Sequence, residues 1–371
     1  MKFTVIRSRF LDLLSNVQSI VPGKPALLIL SNALVEASAE GALRLTATDL
    51  DMFVQATQST DIKVDEPGET TLPVKKLVDI LRMAPEGEVQ FEVDGEHVTR
   101  VVTAAAKYRV MGMGSQDFPK VREPEGETHC FTIERALFRE MLRKTSYAAG
   151  TDETRRTLTG VLLEFNDGKL TMVATDGKRL ALVEQELEFP PESNCSMILP
   201  PKAVAELSRL LAGEGPMKIY GQSGQIVFDC GNFRFYSKLI EGAYARYQAV
   251  IPMACEERVT VMREELMTSI QRVAIMSNDK MHAVKLTFTE GALTLTASNA
   301  ESGEASDVLP IKYTGRELSS TYNPTYIMDC LRALDSEEVT FELGQDGFSP
   351  SVIKSPNIPF LYVIMPLRIP V

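Results

Sequence analysis

Histidine, the side chain best suited to proton transfer near neutral pH, is rare in this sequence. His97, His129 and His282 are the only three, and no two of them have the spacing of zinc ligands. No G-x-x-x-x-G-K phosphate loop, no G-x-G-x-x-G dinucleotide loop and no G-x-S-x-G nucleophile elbow occurs. We therefore expect no catalytic residues, no metal and no cofactor.

Asp49 and Asp176 are the acidic residues that most resemble a pair of general acids. Each follows an Ala-Thr step at the end of an apolar run, and Asn299 follows Ala-Ser in a third equivalent place. An amide cannot replace a carboxylic acid in catalysis, but it can accept hydrogen bonds from the backbone of a turn. We interpret all three side chains as caps of local turns.

The segments that end at these residues form a repeat of domain size. They read GALRLTATD from Gly41, GKLTMVATD from Gly168 and GALTLTASN from Gly291, with intervals of 127 and 123 residues between their last positions. Solenoid repeats are much shorter, whereas a unit of about 120 residues can own a core. The pattern predicts three domains, at residues 1–122, 129–252 and 257–371, separated by the acidic linkers REPEGET and ACEER.

Each repeat has the same order of predicted elements. A first amphipathic helix covers residues 5–20, 133–149 and 261–276, and a hairpin follows it through Gly41, Gly168 or Gly291. A second helix, announced by Pro73, Pro201 or Pro324, covers residues 74–83, 202–211 and 325–334. Alternating strands complete the unit. The fold class is α+β, with three repeated domains that each contain antiparallel sheet and two helices.

Charge is unevenly distributed along the chain. The net charge is −11, yet the six predicted helices together carry +6. The second helices place Arg82, Arg209 and Arg332 at one shared position, with Lys75 and Lys202 two turns earlier in the first two repeats. Lysine and arginine also favour exposed helix faces for their own sake, so charge alone leaves that alternative open. The shared placement favours a helical surface that faces phosphates.

Composition indicates a cytoplasmic protein with reduced thiols. No run of 18 apolar residues occurs, and the N-terminal MKFTVIRSRF lacks the apolar segment of a signal peptide. The five cysteines are odd in number and form no C-x-x-C pair, so we expect buried free thiols. They are Cys130, Cys195, Cys230, Cys255 and Cys330.

Several motifs resemble those of the bacterial sliding clamp, the beta subunit of DNA polymerase III. They are the opening MKFTV, DFP at Asp117, VATDGKRLAL from Val173, SNDK from Ser277 and YVIMPLR from Tyr362. The resemblance covers the whole chain. It implies a non-catalytic processivity subunit whose head-to-tail homodimer closes a ring around duplex DNA without sequence specificity. It also implies partners: the polymerase III alpha subunit, the clamp loader and other proteins with a clamp-binding motif, and no membrane.

Helix packing supports two chains in such a ring. Twelve helices at about 9 Å spacing give a diameter of about 35 Å through their axes and about 25 Å of clearance, enough for a duplex. Six helices would leave only about 7 Å, less than the ~12 Å width of a single major groove. One chain alone therefore cannot enclose DNA.

The resemblance also assigns residues. DNA would be approached by Lys24 and by Arg155 and Arg156, besides the helix residues Lys75, Arg82, Lys202, Arg209 and Arg332. The dimer interface would use Tyr108 and Val110 against Ile275 and Met276. A peptide-binding cleft would contain Leu158, Thr175, Gly177, Lys178, Arg179, Leu180, Val250, Val363, Ile364, Met365, Pro366, Leu367 and Arg368.

Departures from the family pattern occur near the cleft and the DNA loop. Lys178, Ala245 and Ala249 stand where histidine, proline and arginine are frequent, so peptide preference is expected to differ. Thr151, Asp152 and Thr157 depart in the loop before the cleft. Two other classes remain open: an enzyme with its site assembled between repeats, and a clamp-like paralogue that serves a specialised, non-replicative system.

Overall fold

A computed structural model describes residues 1–123, 129–252, 255, 257–277, 282–344, 346–356 and 358–368. Most of the predicted REPEGET linker and the last three residues of the SNDK motif lie outside these residues. Of the predicted ACEER linker, Ala254 and Glu256 also lie outside, whereas Glu257 and Arg258 begin a strand. The chain forms two compact units, Met1–Ala136 with Ala205–Leu239, and Leu137–Val204 with Ile240–Val371.

Helices are few and short, and none within the described residues is long and apolar enough to span a membrane. The α-helices of this part of the chain are α1 (Arg7–Gln18), α2 (Val74–Met83), α3 (Arg135–Thr145), α4 (Arg156–Thr159), α5 (Pro201–Leu210), α6 (Arg263–Ala274) and α7 (Pro324–Arg332). Short 3-10 turns lie at Leu28–Ser31, Ser146–Ala148, Glu153–Arg155, Pro191–Ser193 and Tyr247–Val250.

Strands make up most of the regular secondary structure in the described residues, and they form two blocks in every repeat. The first blocks contain β1 (Lys2–Ile6), β5 (Ile62–Glu66), β7 (Glu88–Val93), β8 (Val98–Val102) and β9 (Lys107–Met111); then β10 (His129–Glu134), β15 (Pro216–Gln222), β16 (Gln225–Asp229) and β17 (Phe233–Lys238); then β18 (Glu257–Met262), β23 (Glu338–Leu343), β24 (Ser351–Lys354) and β25 (Phe360–Ile364). The second blocks contain β2 (Asn32–Ala37), β3 (Leu43–Thr48), β4 (Met52–Gln58) and β6 (Gly68–Pro73); then β11 (Val161–Asn166), β12 (Lys169–Thr175), β13 (Arg179–Glu186) and β14 (Cys195–Leu199); then β19 (Val284–Thr289), β20 (Ala292–Asn299), β21 (Gly303–Pro310) and β22 (Leu318–Tyr322).

A strand precedes the first helix of every repeat, which the helical pattern did not predict. The predicted helices began at residues 5, 133 and 261, whereas α1, α3 and α6 begin two residues later. The reason lies in β1, where Phe3 and Val5 are buried and their neighbours are not. This alternation is typical of a strand. The sequence analysis missed it because the apolar residues of the strand run directly into the apolar pattern of the helix that follows.

The second helices begin at proline, as the sequence predicts. Pro73 is the N-cap of α2, and Pro201 and Pro324 are the first residues of α5 and α7. Their missing N–H costs nothing there, because the first amides of a helix have no partner within it. The buried face of α2 contains Val74, Leu77, Val78 and Leu81.

Consecutive repeats share sheets. β4 of the first repeat pairs antiparallel with β17 of the second, which makes one eight-stranded sheet. β13 of the second repeat pairs in the same way with β25 of the third. The five-stranded sheet of the first repeat ends at β9, and the four-stranded sheet of the third ends at β21. By the pattern of the two internal joins, β9 and β21 would each pair with one more strand, and none of the strands in the described residues does so.

The hairpin glycines and the capping residues behave as the sequence predicts. Gly41, Gly168 and Gly291 have φ values of 82°, 73° and 73°, a conformation that glycine adopts without strain. Asp176 Oδ1 accepts hydrogen bonds from the amides of Lys178 and Arg179, at 2.8 and 3.0 Å. Asp49 and Asn299 accept equivalent bonds from the residues that follow them. All three side chains hold turns.

The prediction of buried thiols is only partly correct. All five cysteines are free, but Cys130 is exposed, Cys195 and Cys255 are half-buried, and only Cys230 and Cys330 are buried. Cys130 lies on β10, where side chains alternate between the core and solvent, and Phe131 takes the buried position. Burial raises the pKa of the Cys195 thiol to about 11 and that of Cys230 to about 12, so both stay protonated at neutral pH.

Candidate functional sites

The predicted cleft has an apolar floor where β13 meets β25. Leu180 and Val363 are directly opposite in the antiparallel register, and both are almost fully buried. They belong to a cluster with Tyr247 and Ile240, against which Tyr244 and Ile251 pack while partly exposed. The segment 240–251 therefore contributes apolar side chains to the same face of the sheet.

Backbone hydrogen bonds hold the edge of this cleft. The amide of Met365 donates to the carbonyl of Lys178 at 3.0 Å, which extends the strand pairing past the end of β25. Thr175 Oγ1 donates to the carbonyl of Arg179 at 2.6 Å and accepts from the amide of Gly177 at 3.1 Å. Gly177 has φ of 87°, so the turn needs glycine.

The predicted cleft residues do not all face the same way. Lys178, Gly177 and Arg368 are exposed, Val250 is 39% exposed, and Leu158, Met365, Pro366 and Leu367 are half-buried. Ile364 and Arg179 are opposite each other in the register, one residue along from Val363 and Leu180. Their side chains therefore lie on the opposite face of the sheet.

Arg179 is the centre of a polar network on that opposite face. Its side chain is only 10% exposed, and its Nε and Nη1 atoms lie 3.2 Å from Asp176 and 2.7 Å from Asp329. Nη2 donates to the carbonyl of Tyr147 at 2.7 Å, and the guanidinium carbon lies 4.4 Å from the centroid of the Tyr326 ring. One side chain thus connects the cleft turn to the end of α3 and to α7.

Electrostatics keep Arg179 ionised and keep Tyr147 and Tyr362 neutral. Burial is the largest single effect on Arg179 and opposes its charge, but the hydrogen bond to Asp329 together with the interactions with Tyr362 and Asp176 outweighs burial, and the pKa of Arg179 is raised. Burial raises the pKa of Tyr147 and that of Tyr362 well above the usual value. The network therefore supplies fixed charge and packing across the physiological pH range.

Several residues of this site escaped the sequence analysis. Tyr147, Tyr326 and Asp329 surround Arg179 but lie far from it in the chain, and no local pattern connects them. Tyr244 and Tyr247 cover the cleft floor, and Tyr247 donates to Glu164 Oε2 at 2.6 Å. The one sequence signal for this segment was the pair Tyr244 and Tyr247 shortly before Ile251-Pro252.

The predicted DNA-facing residues of the first unit, Lys24, Lys75, Arg82 and Arg209, are all exposed. Arg209 is different, because its Nη1 and Nη2 atoms donate to the carbonyls of Ser15 and Asn16 at 3.0 Å each, and its Nε donates to Glu206 at 2.9 Å. Its guanidinium is bound to the C-terminal end of α1.

In the second unit, Arg155 and Arg156 are exposed on the turn that leads into α4. Asp152 accepts a hydrogen bond from Arg155 Nε at 3.0 Å and another from the amide of Thr154 at the same distance. This family-atypical aspartate therefore orders the turn and offsets part of its positive charge. Lys202 is the second residue of α5 and is exposed. Arg332 Nη1 lies 3.9 Å from Asp329.

The predicted interface residues lie on or beside the edge strands β9 and β21. Tyr108 and Val110 lie on β9. Val110 is only 7% exposed, so in the single chain it is already part of the hydrophobic core. Ile275 is 79% exposed just after α6, and Cε of Met276 lies near Gly303 at the start of β21. Met111 and Val308, which are 64% and 57% exposed, are further apolar side chains on these strands.

A groove of about 980 Å³ lies on the five-stranded sheet. Its charged lining is balanced between lysine or arginine and carboxylates: Lys2, Lys63, Arg100 and Lys107 against Asp61, Asp65, Glu88 and Glu92. A balanced lining has no net field to attract phosphate. Within the described residues, no three histidine, cysteine, aspartate or glutamate side chains are grouped as metal ligands would be.

Three copies of a two-helix, two-block unit, joined through edge strands, define the DNA clamp fold. Models of the DNA polymerase III beta subunit match this chain throughout: the N-terminal domain at residues 1–122, the central domain at 132–246 and the C-terminal domain at 248–368. The chain belongs to this family of bacterial beta sliding clamps.

Individual relatives match over their full lengths. The beta sliding clamp of Escherichia coli (strain K12) is 34% identical over 371 residues, with 100% of both chains covered. That of Chlamydia muridarum is 31% identical over 370 residues, covering 100% of this chain and 99% of the relative. The solved sliding clamp of Pseudomonas aeruginosa bound to griselimycin superimposes with a TM-score of 0.95 at 32% identity, covering 100% of both chains. The clamp of Bacillus subtilis gives 0.94 at 25% identity, also over 100% of both.

Substitution Arg179→Lys is expected to lower the free energy of unfolding by about 2 kcal/mol, measured by chemical denaturation. An ammonium group cannot replace the planar fork that serves Asp176, Asp329 and Tyr147 together. The control is Arg155→Lys, whose 51% exposed ion pair with Asp152 predicts a change within ~0.5 kcal/mol. Equal effects of the two substitutions would contradict the role of the network.

Proposed function

We propose that this protein is the sliding clamp of its cell's DNA polymerase III, a non-catalytic subunit that encloses duplex DNA and tethers polymerases to it. The observation that carries the proposal is the strand pairing between repeats. Each internal join pairs a second-block edge with a first-block edge, and β21 and β9 are left as one edge of each kind. A second copy supplies the missing strand at both ends, and two chains close a ring.

The internal joins predict the register of this contact. Phe235 faces Val54 in the first join, and Tyr362 faces Ala181 in the second. By repeat alignment Tyr108 is equivalent to the two aromatic residues and Ala305 to the two small ones. Tyr108 is therefore proposed to face Ala305 of the other copy. In the same register Arg109 would face Glu304 of the other copy, and their opposite charges favour this pairing.

The same arrangement explains the exposed apolar side chains near β9 and β21. Met111, Val308 and Ile275 are more than half exposed in the single chain. Ile275 and Met276 lie beside β21 and, with Tyr108 and Val110, are proposed as the apolar part of the interface. An unpaired edge strand with apolar neighbours favours association with another chain.

DNA is proposed to be held by enclosure and only weakly by charge. Lys24, Lys75, Arg155, Arg156, Lys202 and Arg332 would attract phosphates without reading bases, which suits sliding on any sequence. The body of the chain is acidic, with a net charge of −11, and repels DNA elsewhere. Arg209 is bound to α1, so we propose for it a structural role in addition to any phosphate contact.

The cleft beside β13 and β25 is proposed to bind peptides of the polymerase III alpha subunit, the clamp loader and other partners. Support comes from the buried floor of Leu180 and Val363 and from the exposed or half-buried Val250, Met365 and Leu367 around it. Apolar side chains that include methionine adapt to varied ligands. Lys178 adds a positive charge at the rim, which favours acidic residues in the bound peptide.

We also propose that the protein is cytoplasmic and that its three domains cover residues 1–122, 129–252 and 257–371.

The two alternative functions, an enzyme and a specialised paralogue, have less support. Full-length similarity to beta sliding clamps from several bacteria does not favour a specialised paralogue or an enzyme. Genome context and loss of viability on depletion distinguish the replicative clamp from a paralogue.

Loading on nicked circular DNA followed by linearisation tests enclosure directly. We expect the clamp to stay bound to the closed circle during gel filtration and to leave once the circle is cut, because only a ring runs off free ends. The control is a linear duplex with both ends blocked by bound protein, which should retain the clamp. Equal retention on cut and closed circles would contradict enclosure.

Double substitution Ile275→Asp with Met276→Asp is expected to convert the dimer to monomer at micromolar concentration. At each of the two contacts between β9 and β21 of different copies, two carboxylates would have to be buried without partners, which costs several kcal/mol. Light scattering measures the mass, and Met262→Asp, at a residue of β18 that is 41% exposed, is the control. An unchanged mass for the double variant would count against the assigned interface.

Substitution Val250→Asp tests the cleft. Loss of one buried apolar contact is expected to lower affinity for a synthetic clamp-binding peptide of the alpha subunit by about 10-fold or more. Val250 and Met262 are similarly exposed, at 39% and 41%, so Met262→Asp again serves as the control. Fluorescence anisotropy measures binding, and unchanged affinity for Val250→Asp would remove this residue from the site.

A further inference from the structure

The second helix of every repeat carries an acidic residue three positions before its arginine. The pairs are Asp79 with Arg82 on α2, Glu206 with Arg209 on α5, and Asp329 with Arg332 on α7. Three residues on a helix place both side chains on one face. Because the pair recurs, its contacts at the two joins within the chain predict its contacts at a third join, between β21 of one copy and β9 of the other.

At the join of the first two repeats, this pair binds the end of a neighbouring helix. Arg209 donates to the carbonyls of Ser15 and Asn16, which lie in the last turn of α1. Glu206, 9% exposed, holds Arg209 Nε at 2.9 Å and accepts from Ser19 Oγ at 2.5 Å. The last four carbonyls of a helix lack intrahelical partners and carry partial negative charge, so a guanidinium is well placed there.

At the second join the same elements meet through a different arginine. Asp329 on α7 accepts from Arg179, whose Nη2 donates to the carbonyl of Tyr147, just past the end of α3. Tyr147 is the repeat equivalent of Ser19. Both internal joins therefore place an acid-held guanidinium on a carbonyl at the end of the preceding repeat's first helix.

Within the described residues, the pair on α2 has no such partner. Asp79 and Arg82 are both exposed, and neither side chain makes a hydrogen bond or ion pair in this part of the chain. The matching helix end is that of α6, where Gln271 and Arg272 are equivalent to Ser15 and Asn16. Gln271, Arg272 and the following Ile275 are exposed.

We infer that Arg82 is an intersubunit helix cap, which binds the carbonyls of Gln271 and Arg272 at the C-terminal end of α6 in the second copy. In this cap Asp79 orients Arg82 as Glu206 orients Arg209. Glu206 also accepts from the hydroxyl of Ser19, whereas Ile275, the equivalent of Ser19, has no hydroxyl to donate, so Asp79 is left to Arg82 alone. The inference rests on the proposed head-to-tail pairing of β9 with β21. It gives Arg82 a role in ring closure in place of the phosphate contact that its helix position first suggested.

Substitution Arg82→Gln in the full chain tests this role. We expect about a 10-fold loss at each joint, and because the ring has two joints, about a 100-fold rise in the dimer dissociation constant. Exchange of donor- and acceptor-labelled subunits at nanomolar concentration measures it. Lys75→Gln removes the same charge from the same helix two turns earlier, and should leave the dissociation constant unchanged while weakening duplex binding at low salt.

A second variant separates capping from general charge. Arg82→Lys keeps the positive charge but cannot donate to two carbonyls with a planar fork, so the dimer should weaken while the salt dependence of duplex binding stays that of the parent. An unchanged dissociation constant for Arg82→Gln, or an equal rise for Lys75→Gln, would overturn the inference. If Ile275→Asp with Met276→Asp splits the dimer while Arg82→Gln does not, only the cap is wrong. If neither does, the strand pairing itself is wrong.

Discussion

Unpaired edge strands are the constraint on which the rest of this molecule depends. A strand edge exposes a row of backbone donors and acceptors, and these are satisfied best by another strand. Each repeat here ends its two blocks with such edges, and the chain satisfies them by joining β4 to β17 and β13 to β25. Two edges of matching kind, β9 and β21, are then left over, and we propose that a second copy of the chain pairs with both of them.

The same joins decide where a partner can bind. At the β13–β25 join, alternate side chains separate into an apolar face with Leu180 and Val363 and a polar face with Arg179. The apolar face is covered only in part, by Tyr244 and Ile251, while the polar face is fixed by Asp176, Asp329 and Tyr147. We propose that this ionic network holds the floor of the cleft in place before a peptide binds, which would reduce the entropy cost of binding.

Local features were predictable and distant ones were not. Gly168 and Asp176 act within their own turns, so the residue types alone indicated both conformation and role. The strand β1 was hidden because its alternation runs directly into a helical pattern. Strand sharing between repeats depends on residues far apart in the chain, as does Arg209, whose carbonyl partner Ser15 lies 194 residues away. No periodicity distinguishes an arginine that faces phosphate from one that caps a neighbouring helix.

That ambiguity bears on how the clamp slides. Every lysine or arginine that contacts a phosphate releases counterions and steepens the salt dependence of binding, so each one also adds resistance to movement. Arg209 is bound to α1, and Asp152 offsets the charge of Arg155, so two of the arginines that we propose to face DNA also bind groups of the protein itself. Retention on DNA must then come from closure of the ring. Stability of the joints, more than strength of phosphate contact, sets how long the clamp stays on its template.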